Sequence, residues 1–331
     1  MRSVVAIVTI GVVIFSSVAS AQDLQPKPSV VSATIDRGLS FLAKDSMVWK
    51  NEHKCVSCHH AALVIWSMSE AQRRGHAVNE PVLAELTKWV AGSGDGKFGM
   101  ATPASAPNAL SPKAVWFALA LGAIPKPDTA SQEGMKLLLK TVKSEQTEDG
   151  SWSAWPETRP PIMGDSHESM TALATLALMP AAEAGDSSAR AARDKGVKWL
   201  AETKTDDNPQ SIAMRLALWR RLGRPAEEWK PLVRRIKERQ NADGGWSQAE
   251  EMASDAWATG QALYALAHAG IEPDEPAIAR ARAFLIRTQR ADGSWPMMSR
   301  PVKLGGEGSK SLIPITGAGS AWAVLGLVRS R

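Results

Sequence analysis

Gln240-Asn-Ala-Asp-Gly-Gly-Trp246 is the stretch on which the reading of this 331-residue chain turns. It recurs as Gln146-Thr-Glu-Asp-Gly-Ser-Trp152 and Gln289-Arg-Ala-Asp-Gly-Ser-Trp295, and in weaker form as Asp95-Gly-Lys-Phe98. The four aspartates lie 54, 94 and 49 residues apart. The middle gap is about two periods, which predicts a degenerate copy near Thr205-Asp206-Asp207-Asn208. An earlier degenerate copy is read at Asp45-Ser-Met-Val-Trp49.

Each copy lies between two helix-like segments. The segment before it is amphipathic: Ala277, Ile278, Ala281, Phe284 and Leu285 fall at helical spacing, as do Met135, Leu138, Leu139 and Val142. The segment after it is apolar nearly all round, as in 168–178, 255–270 and 319–328. A helix apolar on every side is buried on every side. Six such pairs can be counted. The outer members begin near Ser32, Glu80, Thr129, Ser187, Ala226 and Asp274. The inner members begin near His59, Ser111, Asp165, Pro209, Ser254 and Thr316. The expected fold is all-α, a single closed (α/α)6 toroid, with an open solenoid as the rival. Closure is favoured because neither the first nor the last pair shows a polar capping face.

The repeats resemble the QxxxGxW repeat of the squalene–hopene cyclase and prenyltransferase superfamily. The resemblance covers nearly all of 22–331. It implies a terpenoid cyclase-like toroid in which the repeats tie outer helices to the loops that follow. The chemistry of that superfamily carries over less well. The resemblance implies an Asp-x-Asp-Asp acid, and no such tetrad occurs here. Prenyltransferases hold zinc near inner helices five and six, but the matching Ser254-Asp255-Ala256-Trp257 has no cysteine. The Cys-Gly-Glu-Gln motif of complement thioester domains is missing too, as is the second helical domain of the cyclases. Fold alone does not give function.

The N-terminus sets an expected compartment. Arg2 precedes an apolar run from Val4 to Phe15, and Ala19-Ser20-Ala21 stands just before Gln22. This reads as a secretory signal peptide over 1–21, with the mature domain at 22–331. The apolar run is too short for a comfortable span. The expected location is exported, in the periplasm, with no stable membrane span after cleavage. The net charge of +5 includes Arg2. Basic residues are scattered among acidic ones without interleaved aromatics, which speaks against nucleic acid.

Both cysteines fall in one motif, Cys55-Val-Ser-Cys58-His59, before the apolar run Ala61–Met68. C-x-x-C-H in an exported chain is the attachment motif of c-type haem. Two thiols add to the haem vinyl groups and the adjacent histidine supplies the proximal iron ligand. One helical turn sets the sulfurs and the imidazole on one side of a helix start. Cys55, Cys58 and His59 are therefore the expected haem c residues. Three other readings stay open: a zinc site through both cysteines and a histidine, a disulfide or redox pair without the usual βαβ context, and an accident at a helix start.

In a toroid with alternating helix directions all inner helices begin at one rim. That places His167, at the start of inner helix three, on the same mouth as His59 and makes it a candidate distal ligand. Its other reading is a polar residue in a helix start capped by Asp165 and closed by Glu168. Met68, Met100 and Met163 are rivals, and a five-coordinate iron needs none. Arg159, Arg300 and Lys303 are candidates to pair with haem propionates, or are solvated loop charges. Asp255, which opens inner helix five, is a candidate acid or a helix cap. Trp116, Trp257 and Trp322 either line an apolar cavity or pack as core.

Three functions follow from these residues. The first is an exported toroid with one covalent haem c, in electron transfer with a redox partner protein or in redox chemistry on an apolar small molecule. The second is a cyclase-like enzyme without haem that uses Asp255. The third is a non-catalytic toroid that binds lipid or polysaccharide.

Overall fold

The computed structural model describes residues 25–53, 56–92, 111–154, 166–298 and 312–331, with the backbone alone at 111 and 112. Twelve α-helices fill these segments. The outer ones are α1 (Pro28–His53), α3 (Glu80–Gly92), α5 (Thr129–Ser144), α7 (Ser187–Glu202), α9 (Ala226–Glu238) and α11 (Pro276–Thr288). The inner ones are α2 (Leu63–Arg73), α4 (Ser111–Gly122), α6 (His167–Glu183), α8 (Pro209–Arg221), α10 (Ala256–His268) and α12 (Ile313–Arg329). A five-residue π turn, Cys58–Ala62, leads into α2.

The inner helices form a closed ring, since each packs on the next and α12 packs on α2. The outer helix α1 packs on both α12 and α2, so the first and last pairs meet. The protein is an all-helical (α/α)6 toroid, as its pairing pattern predicts. The inner helices are buried almost all round, α12 from Ile315 to Val328 with few gaps. An outer helix such as α9 buries only Leu232, Val233 and Ile236. Among the described residues no helix is long and apolar enough to cross a membrane.

The repeat is a joint between neighbouring pairs. In all three full copies the glutamine Nε2 donates to the glycine carbonyl of its own loop and to a carbonyl in the next outer helix. Gln146 reaches Gly150 and Ala192, both at 2.9 Å. Gln240 reaches Gly244 and Ala277, both at 2.8 Å. Gln289 reaches Gly293 at 3.1 Å and Thr34 at 2.9 Å. The tryptophan indole donates back to the preceding outer helix at 2.7 Å, to Val142, Ile236 or Leu285. Its backbone amide donates to a hydroxyl of the following inner helix, on Thr171, Thr259 or Ser320. The glycine has positive φ, 96°, 89° and 91° in the three copies. A Cβ there would also run into the next outer helix, at the Lys195, Arg280 or Arg37 carbonyl. The third joint links α11 to α1 and so closes the ring.

Two degenerate copies turn out differently. Asp45–Trp49 is no loop but the interior of α1. Helical spacing there puts Asp45 and Trp49 on one face, toward the π turn. Near Thr205–Asn208 the joint exists without glutamine or tryptophan. Arg235 and Arg239 of α9 reach back instead, to Asp207 Oδ1 at 2.7 and 2.8 Å and to the carbonyls of Asp206 and Asp207. Beneath them Glu168 and Arg215 form a buried ion pair at 2.7 Å. Glu168 also accepts from the Asp206 amide, and Arg215 donates to the Thr203 carbonyl. The copy Asp95–Phe98 lies outside the described residues.

The middle of the ring is filled. Trp66, Trp116, Trp257, Trp322 and Tyr264 meet there, with ring centroids 5.4 to 6.4 Å apart and mostly edge to face. Trp116, Trp257 and Trp322 are buried and packed as core at this level.

Candidate functional site

The inner helix N-termini and the repeat joints share one rim, and His59 sits there in the π turn. The turn forms because the Ala62 amide skips to the Ser57 carbonyl and the Leu63 amide to the Cys58 carbonyl. One extra residue in the turn re-aims the side chains that follow, a distortion common at functional sites. Ser57 caps it, its Oγ accepting from the His60 amide at 3.1 Å. Cys58 is buried in the apolar core.

His59 is half-buried among rings. Trp49 lies edge-on to it at 4.7 Å and stacks flat on His60 at 4.5 Å, and His53 lies 4.0 Å from the Trp49 ring. His59 Nδ1 is close to His60 Nδ1 and 3.3 Å from Ser57 Oγ. His60 in turn meets Asp45 through Nε2 at 2.9 Å. Among the described residues, the hydrogen bonds of the His59 ring run through Nδ1. Burial, then the neighbouring His60 and His53, hold its imidazole well below the usual histidine range. At neutral pH it is uncharged, which a metal ligand must be. Asp45, Trp49 and His60 were not singled out as site residues from the sequence. The one available signal was the spacing of four between Asp45 and Trp49 along α1.

The other sequence candidates scatter. Cys55 lies outside the described residues, as do Met100, Met163, Arg159, Arg300, Lys303, Asp165 and the segment 1–21. Met68 is wholly buried in α2. His167 opens α6 on the same rim and is exposed. The π turn packs on α1, α2, α3, α4 and α12, and α4 stands between it and α6. The cap of α6 is Ser166 with Ser169 in a reciprocal box, rather than Asp165 with Glu168. Glu168 is taken by Arg215, which explains the difference. Asp255 caps α10, accepting from the Ala258 amide at 2.8 Å while its own amide bonds to Trp246. Among the described residues no group of three or more His, Cys, Asp or Glu is disposed to hold a metal by itself.

Two hollows open near the two rims. On the His59 rim a cavity of about 810 Å³ lies between the starts of α8 and α10 and the loop 247–253, beside Trp246, Met252, Arg239 and Glu251. Glu251 has a φ of 65°, strained for a residue with a Cβ. On the opposite rim a funnel of about 300 Å³ opens between the C-terminal ends of all six inner helices.

Comparison with known proteins agrees with the architecture. Residues 189–293 match the family model described as squalene-hopene cyclase N-terminal domain. No curated protein sequence matches the chain. The apo structure of the type II terpene cyclase MstE from Scytonema is similar with a TM-score of 0.60 and 14% identity, over 91% of this chain and 98% of that one. The same cyclase with bound geranylgeranyl dihydroxybenzoate gives 0.57 and 13%, over 91% and 97%. A glycosidase in complex with glucose gives 0.56 and 13%, over 89% and 99%. These likenesses place the chain in the cyclase-like toroid fold. Their activities differ from one another, so the fold does not choose among them.

Proposed function

We propose that this protein is an exported cyclase-like toroid that carries one haem c through Cys55, Cys58 and His59, and that it exchanges electrons with a redox partner at the His59 rim. The observation that most supports this reading is the state of His59. Its Nδ1 meets Ser57 and His60, no hydrogen bond among the described residues engages its Nε2, and burial holds its pKa low, which favours the neutral ring a ligand needs. Ligating histidines have this form, with the second nitrogen fixed by a neighbour. Two cysteines and a histidine in this spacing are the donor set of a c-type haem, whose bound iron would supply a one-electron couple. Cys55 and Cys58 would anchor the haem, and His59 would ligate its iron. His60, tied to Asp45, fixes the orientation of His59. Trp49 covers the cluster and keeps water from its flank.

The test is colour. Produced in a host that exports and matures c-type cytochromes, the protein should be red and should stain for haem after denaturing electrophoresis. Cys55→Ser should weaken attachment, and His59→Ala should alter the absorption spectrum. A colourless protein with two titratable thiols from the same host refutes this reading, as does one carrying stoichiometric zinc.

A second reading, a cyclase-like enzyme without haem, has the match over 189–293 in its favour. It predicts a colourless protein that converts a polyprenyl substrate and loses that activity in Asp255→Asn. The filled ring centre and the capping role of Asp255 weigh against it.

A further inference from the structure

The funnel on the rim opposite His59 has a composition that packing does not explain. Its floor is Trp66 and Tyr264, the lower face of the aromatic plug. Its walls are apolar, with Leu119, Leu176 and Pro180 among them. Its rim carries Arg73, Arg221 and Arg329. Six helices end here, and the partial negative charge of helix C-termini attracts cations. That accounts for some of the arginines, and Arg73 does donate to the Ala123 carbonyl at 2.8 Å. The charges nevertheless do not balance. Buried Glu70 alone faces Arg73, Arg74 and Arg329, at 2.6, 3.3 and 2.6 Å. Arg221 pairs separately with Glu183. One carboxylate against three guanidiniums leaves the funnel electropositive.

Helix termini account still less for Tyr264 and His268. The two rings lie 4.7 Å apart, and both line the funnel. Tyr264 is only 6% exposed, and among the described residues its hydroxyl has no hydrogen bond. Buried His268 Nε2 has no hydrogen-bond partner either. Burial, and then Arg329, pushes the His268 imidazole down to about 3, so it stays neutral among the arginines. Buried polar groups without partners are rare and costly. His268 Nε2 is one such group, and it sits beside the Tyr264 ring in a hollow under a cationic rim, the pattern of a ligand site.

We propose that this funnel binds a small monocarboxylate with an apolar body, the body resting on Trp66 and Tyr264 and the carboxylate taking hydrogen bonds from the Tyr264 hydroxyl and the arginine rim. The cavity limits the ligand to roughly the size of a phenylalkanoic acid, the low end of small-molecule pockets. The site is independent of the haem, which belongs to the other rim.

The test uses the full mature chain and 3-phenylpropionate as probe, with 3-phenylpropanol as its uncharged counterpart. Titration is followed by tryptophan fluorescence and by calorimetry. The acid should bind with a Kd of about 1 mM or tighter, and the alcohol at least about tenfold more weakly, since a charged hydrogen-bonding partner is lost. Tyr264→Phe keeps the packing and should weaken the acid by about tenfold while leaving the alcohol unchanged. Should that variant fold poorly, Arg221→Gln, at an exposed position, should weaken the acid alone by a smaller factor. Equal affinity for acid and alcohol overturns the proposal. So does the absence of binding at 10-fold the expected Kd, and so does acid binding untouched by both substitutions.

Discussion

If the ring is truly closed, the joint between its last and first pairs should matter as much to stability as a joint in the middle. Gln289→Ala tests this. The substitution removes two hydrogen bonds, to the Thr34 and Gly293 carbonyls. It also removes the acceptor for Arg37, whose Nε and Nη2 lie 3.0 and 2.6 Å from Gln289 Oε1. Two neutral bonds contribute about 1 kcal/mol each. The arginine contact is exposed and adds at most about 0.5 kcal/mol. The expected loss is about 2 to 2.5 kcal/mol. Gln240→Ala is the internal control. It loses the bonds to Gly244 and Ala277 and the contact with Arg280, the same set by geometry. Urea unfolding followed by far-ultraviolet circular dichroism gives both values. The two should agree within about 0.5 kcal/mol, the usual scatter for comparable sites. A Gln289→Ala loss below about 0.5 kcal/mol beside a full loss for Gln240→Ala would mean that the chain is an open superhelix in solution, and the argument for closure would fail.

Three further outcomes can be checked with the same assay. Gly293→Ala should cost more than Gln289→Ala, about 3 kcal/mol or beyond, because it combines a φ of 91° with a collision at the Arg37 carbonyl; an unchanged midpoint would contradict this. Glu168→Ala should cost about 3 to 5 kcal/mol, since it strands buried Arg215 without its partner, and a loss under about 1 kcal/mol would show that the pair is solvated. The hydroxyl of Thr147, then the amide and hydroxyl of Ser151, hold Asp149 down at about 2. A carboxyl depressed in the folded state gives stability that is present above its unfolded value near 3.8 and lost as pH falls toward 2. The urea midpoint should therefore drop through that window, and less steeply in Asp149→Asn.

The fold was legible because its period is written twice. The Asp-Gly-x-Trp copies mark the loops, and the alternation of amphipathic and uniformly apolar helices marks the two rings. Four of the outer starts, at Glu80, Thr129, Ser187 and Ala226, fall where the sequence puts them. The joint around Asp206 was legible only as a gap. Its parts, Glu168, Arg215, Arg235 and Arg239, come from three different helices, and no local pattern announces such a set. Asp45–Trp49 misled for the opposite reason. Its composition imitates a repeat, but the helix of α1 runs through it, and its residues serve the π turn instead. The motif at Cys58 and His59 was visible at once, whereas the ring cluster that orients His59 was not. Pairing α1 with the π turn requires knowing that the chain doubles back there. The funnel was invisible for the same reason, since Glu70, Tyr264, His268 and Arg329 converge only when six helix ends are gathered into one circle.

Arg282 bears on how this molecule can be handled. Its guanidinium, nearly buried, donates to Ser330 Oγ at 3.2 Å and to Gln25 Oε1 at 3.4 Å, so one side chain grips the chain just before α1 and just after α12. Both places lie on the funnel rim. A tag, tether or fused domain attached at either position therefore leaves from that side, and the His59 rim points away across a helix length of roughly 20 Å. Protein immobilised through such a tether should present the His59 rim to solution in a uniform orientation. Gln25 and Ser330 are also near enough that a short linker can join the chain there, with new ends opened at an exposed turn such as Gly185 or Gly223. In a permuted chain of that kind the order in which the pairs are synthesised changes, while the circle they make does not.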